Sequence, residues 1–188
     1  MEPSSAISNL GLNGKYPNGP IKKAHLFAQA AHKGQKRKYT GDDYIIHPEA
    51  VANIVSTVTD DEEVIAAALL HDVVEDTSTT LEDLALVFGD RVAQLVSEVT
   101  DVSRPEDGNR VARKALDREH LAGASEEGQT IKLADLLDNS RTITEHDPKF
   151  AKVYMREKRE LLGVLVNGHQ WLRIQARQVL ANYFRSET

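Results

Sequence analysis

Seven consecutive apolar residues, Val64 to Leu70, run without a break into His71-Asp72-Val73-Val74-Glu75-Asp76. A helix that starts near Asp61 and is apolar on every side has to be buried. Residues four apart share a face, so His71 stacks with Glu75 and Asp72 with Asp76. One face therefore presents an imidazole and three carboxylates directly after the apolar block. Burying such a set without compensation is costly, and a divalent cation is the natural compensation.

Mixed nitrogen and oxygen ligation usually takes three or four protein groups and leaves positions for water. His71 and Asp72 are adjacent and point about 100° apart on a helix. They can share an ion at the helix edge but cannot enclose it. Two further ligands stand out. His47 precedes Pro48, where a helix is expected to open. Asp135 lies in Ile131-Lys132-Leu133-Ala134-Asp135-Leu136-Leu137, a carboxylate in a mostly apolar helix, with Lys132 and Asn139 one turn away on the same face.

The rest of the chain is patterned for helices. Ile21 to Ala31 is amphipathic, with Pro20 at its start and Gly34 after it. Lys33 to Asp43 is a polar loop. Val51, Ile54, Val55 and Val58 follow Pro48. Thr79 with Glu82 fits a capping box for a short helix through Val87, which Gly89 closes. Val92 to Val99 gives another helix, and Thr100 to Gly108 a second loop. Helices are predicted over Arg110–Leu121, Thr130–Ile143, Lys149–Val166 and His169–Phe184. On the last, Trp171, Leu172, Ile174, Val179, Leu180 and Phe184 are expected to close the core. His25, His120, His146 and His169 have no partner at ligand spacing and are expected at the surface or the core edge. Asp101, Glu106 and Asp107 are expected in an exposed acidic loop. No alternating run marks a sheet. The expected fold is all-α: a compact single-domain bundle of about eight helices, with residues 1–19 as a flexible leader and residues 20–188 as the domain.

Composition narrows the function. The 188 residues contain no cysteine, which excludes disulfides, thiolate zinc sites and a thiol nucleophile. A net charge of −6 argues against a nucleic-acid partner. The longest apolar run falls far short of the roughly 18 residues of a membrane span. The N-terminus lacks the charged and apolar regions of an export signal, so the expected location is the cytoplasm.

The set His47…His71-Asp72…Asp135 resembles the HD superfamily of metal-dependent phosphohydrolases. Four longer matches, Ala31-His32-Lys33-Gly34-Gln35-Lys36-Arg37-Lys38, Tyr44-Ile45-Ile46-His47-Pro48, Ala68 to Thr77 and Ile131 to Asp135, are similar to the hydrolase domain of the Rel/Spo enzymes. The resemblance runs from about Ile21 to Leu165. It implies a stand-alone, Mesh-type small alarmone hydrolase with an HD-domain architecture. Such an enzyme removes the 3′-pyrophosphate of guanosine tetra- and pentaphosphate. The resemblance further implies Mn²⁺ held by His47, His71, Asp72 and Asp135, and an acid pair, Glu75 and Asp76, that activates water. Arg37, Lys38, Asn139 and Tyr154 would meet the nucleotide. The chain departs from that pattern on the substrate side. Asp43 stands where proline is common, Leu136 replaces a usual basic residue, and the loop from Arg37 to His47 is a residue longer. Two other readings stay open on the sequence: a metal-dependent phosphatase for another nucleotide such as NADPH, and an inactive nucleotide-binding module.

Overall fold

Local signals place the helices. In the computed structural model, which describes residues 19–186, Asp61 caps the apolar helix by accepting from the backbone N–H groups of Glu63 and Val64, a standard remedy for the orphan donors of a first turn. The chain divides into two compact units, Met1–Ser97 and Glu98–Thr188. The predicted leader lies, but for Gly19, outside the described residues.

The first unit holds α1 (Pro20–Ala31), α2 (Ile46–Ser56), α3 (Glu62–Leu70), α4 (Val73–Asp76), α5 (Leu81–Phe88) and most of α6 (Asp90–Val99). Every residue from Val64 to Leu70 is at most 1% exposed. Burying a Val, Ile or Leu side chain is worth about 1.5–3 kcal/mol, so α3 is the natural centre of this unit, and α1 and α2 pack against it.

The second unit holds the 3₁₀ turn Pro105–Asp107, then α7 (Arg110–Ala122), α8 (Glu126–His146), α9 (Pro148–Val164) and α10 (Gln170–Ser186). α8 packs against α9 and α10, and α9 also meets α7. Buried Gln129 ties α8 to the start of α10, its Oε1 accepting from the backbone N–H of Asn167 at 2.8 Å and of Gly168 at 3.2 Å. Position 168 is tight: an added Cβ would lie 2.7 Å from Leu133 Cδ1 and 3.0 Å from the backbone carbonyl carbon of Gln129.

The all-α expectation holds: the described residues form helices and one isolated bridge, Lys36 to Asp43, with no strand. Several details differ. The expected helix through Asp76 breaks at His71–Asp72, where Asp72 has ψ −6°. α2 begins at Ile46, so Pro48 lies inside its first turn, where a missing N–H costs no bond. The capping box is formed by Thr80 and Asp83, one residue later than Thr79 and Glu82. α8 starts a turn before Thr130, because Ser125 caps it and Glu126 and Glu127 suit the positive end of the dipole. On α10, Leu172, Ala176 and Leu180 face the core, whereas Trp171 and Ile174 are exposed. His25 is buried rather than peripheral, with Nε2 2.6 Å from Glu49 Oε1.

Candidate metal centre

The break after α3 shapes the site. A continuous helix would splay His71 and Asp72, whereas here His71 Nε2 lies 3.2 Å from Asp72 Oδ1. His71 Nδ1 contacts the carbonyl of Ala68 at 2.8 Å. The carbonyl can only accept, so Nδ1–H donates to it and Nε2 is the ring atom turned toward Asp72. From the first turn of α2, His47 brings its Nε2 to 3.5 Å from Asp72 Oδ2. The two imidazole rings meet edge to face at 5.2 Å. Ligand atoms of His47, His71 and Asp72 all lie within 4.8 Å of one another. Both histidines are buried. Two neutral imidazoles and one carboxylate suit a divalent first-row cation, so these residues fit a metal ion.

Tyr44 completes the arrangement, and the sequence reading assigned it no role. Its hydroxyl donates to Asp72 Oδ2 at 2.6 Å, and its ring lies 4.8 Å from that of His32. Burial and the negative charge of Asp72 push the Tyr44 hydroxyl far above its usual pKa, so it stays a donor. The signal available for it was position: Tyr44 is three residues before His47, at the end of the basic loop. That loop is a tight turn in which Arg37 N–H donates to Asp42 O and Tyr44 N–H to Gln35 O. Gln35 also donates to the carbonyl of Asp76 at 2.8 Å, and His32 Nδ1 meets Gln35 Oε1 at 2.8 Å. The loop bearing Arg37 and Lys38 is thus tied to both ends of the acidic motif. Lys38 Nζ rests over the Tyr39 ring at 4.8 Å.

Glu75 and Asp76 lie on the single turn of α4, exposed to solvent. The backbone N–H of Asp76 donates to Asp72 O, so the pair keeps the helical spacing across the break. Desolvation and then the charge of Asp72 raise the Asp76 carboxyl above the ordinary carboxylate range.

The remaining predicted residues belong to the second unit. Asp135 is buried on α8. Asn139 Nδ2 donates to Asp135 Oδ1 at 2.5 Å, and Lys132 Nζ lies 3.3 Å from Asp135 Oδ2. Tyr154, on α9, is buried, with its hydroxyl beside that of Ser140. Burial first, then the charge of Asp135, raises that hydroxyl's pKa. Asp101 is not a free acid on an exposed loop: it pairs with Lys114 at 2.5 Å.

An all-helical chain with a buried His, His-Asp group defines a class. The HD domain family model matches residues 24–165, and the chain belongs to that family. It is 38% identical over 149 residues to a guanosine-3′,5′-bis(diphosphate) 3′-pyrophosphohydrolase of Aquifex aeolicus, covering 78% of this chain and 21% of that protein. It is 35% identical over 150 residues to the bifunctional (p)ppGpp synthase/hydrolase SpoT of Escherichia coli, again 78% of this chain and 21% of the relative. The chain thus spans about a fifth of the length of the curated relatives it matches. A solved structure described as a metazoan ortholog of SpoT that hydrolyses ppGpp superposes with a TM-score of 0.81 at 31% identity, covering 90% of this chain and 98% of that one.

Proposed function

We propose that this protein is a metal-dependent phosphohydrolase that removes the 3′-pyrophosphate of guanosine tetra- and pentaphosphate, giving GDP or GTP and pyrophosphate. The observation that carries the reading is the buried meeting of His47, His71 and Asp72. The names of the relatives supply the substrate. Residues 20–188 act together as one HD-type hydrolase domain in this reading, in keeping with a family match that spans both units. No helix among the described residues is long and apolar enough to cross a membrane, and we place the enzyme in the cytoplasm.

Asp135 would join His47, His71 and Asp72 in holding Mn²⁺. When bound, such a cation lowers the pKa of water and stabilises negative charge on phosphoryl oxygens. Glu75 takes the proton of the attacking water, and Asp76 beside it orients that water by accepting a hydrogen bond. The water oxygen bonds to phosphorus, the bond from phosphorus to the ribose 3′-oxygen breaks, and that oxygen takes a proton from solvent while Glu75 returns its own to solvent. Tyr44 holds Asp72 in its ligating orientation. Arg37 and Lys38 draw the polyanion toward a chain that is otherwise acidic, and Asn139 and Tyr154 contact the nucleoside side.

Purified protein with Mn²⁺ is expected to release pyrophosphate from guanosine tetraphosphate, detected by product mass, and EDTA is expected to stop the release. Release of a single phosphate from NADPH with no action on the alarmone would replace this reading with the second one. Tight nucleotide binding without turnover would leave only the binding module.

A further inference from the structure

We propose that the second unit contains a binding site for a phosphoryl oxyanion, in a pocket among α7, α8 and α9, with Lys158 as its principal contact. The pocket holds about 80 Å³ and is lined by four cations, Lys114, Arg118, Lys132 and Lys158, and three carboxylates, Asp101, Asp117 and Glu157. That space suits one tetrahedral group rather than a whole nucleotide.

Charge pairing singles out Lys158. Lys114 is held by Asp101 at 2.5 Å and Asp117 at 3.0 Å. Arg118 meets Glu160 at 3.0 Å. Glu157 is taken by Arg110, through Nε at 2.6 Å and Nη2 at 2.9 Å. Lys132 has Asp135 and the carbonyl of Val99. For Lys158 the structure gives one contact, its Nζ over the Tyr154 ring at 4.9 Å. An aromatic face offsets only part of the cost of desolvating an ammonium. An oxyanion would supply the missing charge and accept the hydrogen bonds. Burial also draws the Lys158 amine down to about 8, against the opposing charges of Asp135 and Asp101. Lys158 lies in the charged run Arg156-Glu157-Lys158-Arg159-Glu160, which reads in the sequence as an exposed helix face.

The inference goes beyond the proposed hydrolysis and does not require it. The shared chemistry is a phosphoryl group, delivered either as a free ion or as part of a nucleotide. Full-length protein in EDTA is melted with inorganic phosphate, pyrophosphate and GDP in turn. At ten times the dissociation constant the wild type is expected to melt about 3–5 °C higher. Lys158→Met should lose that shift, and Lys158→Arg should keep part of it. A shift with phosphate or pyrophosphate identifies a free oxyanion, and a shift with GDP alone identifies a nucleotide's phosphoryl group. Equal shifts in wild type and Lys158→Met, or no shift with any of the three, would overturn the site. Should the variants fail to fold, the Lys158 side-chain NMR resonances of the wild type decide: they move on phosphate addition if the site is real and stay fixed if it is not. EDTA keeps the result independent of the hydrolytic reading.

Discussion

Asp72 in the first unit is surrounded by two imidazoles and a phenol. Asp135 in the second is met by an ammonium and a carboxamide. Both carboxylates sit at or near the protein interior, yet their neighbours differ in kind. Two imidazole nitrogens and the Asp72 carboxylate make a donor set that suits a divalent cation. Lys132 largely balances Asp135 within the chain. The same contrast extends outward. The first unit gathers groups that favour a cation, whereas the pocket of the second holds Lys158, whose ammonium rests on the Tyr154 ring. One fold can therefore hold cation chemistry and anion chemistry by the choice of neighbours for a few buried charges.

The sharpest way to break this contrast is to remove the charge at each carboxylate. Asp72→Asn is expected to abolish metal binding, measured by metal analysis after gel filtration, and with it turnover. Asp135→Asn is expected to lower metal content as well. If it retains a full complement of metal, Asp135 belongs to the anion side alone and the four-ligand assignment fails. Glu75→Ala should keep the metal and lose about 10²–10⁴ in kcat. Full activity in that variant would remove Glu75 as the base. Tyr44→Phe should weaken metal affinity about 10–100-fold while leaving the ligands intact. An unchanged affinity would reduce Tyr44 to packing.

The smallest effect concerns pH. The Lys158 amine is depressed in the folded protein relative to the unfolded chain, where it keeps the ordinary lysine value. Between about 8 and that ordinary value the unfolded state binds the extra proton, so stability should rise with pH across this window. The charges around the amine are those of Asp101, Asp117, Glu157, Lys114, Arg118, Lys132 and Asp135. Of these, Lys114 is raised by its carboxylates, and its contribution is lost only above the ordinary lysine range. Tyr154 likewise acts above the ordinary tyrosine range. Lys158→Met should flatten the stability profile near pH 9, as read by chemical denaturation. An unchanged slope would show that the amine is not desolvated.

Much of the fold was legible because helical periodicity and caps are local. The apolar run from Val64 to Leu70 predicted a buried helix, and it is one. Misplaced boundaries came from equally local competitors: Thr80 rather than Thr79 accepts the cap, and Ser125 starts α8 before its apolar pattern begins. His25 and Glu49 were unreadable as a pair, because their meeting depends on α1 lying against α2. Tyr44 belongs to the run Tyr44-Ile45-Ile46-His47-Pro48, but nothing in its spacing shows that its hydroxyl reaches Asp72.

By itself the sequence determined that this chain is helical, that α3 is central to its unit and that His71 and Asp72 follow it, since those features depend on neighbours within a turn or two. Only the tertiary structure decided that His47 and Tyr44 converge on Asp72, and that Lys158 lines a pocket instead of an exposed face. Those outcomes depend on how helices far apart in the chain pack. Distance along the chain does not record that packing, whereas the energy of a buried charge depends on it strongly.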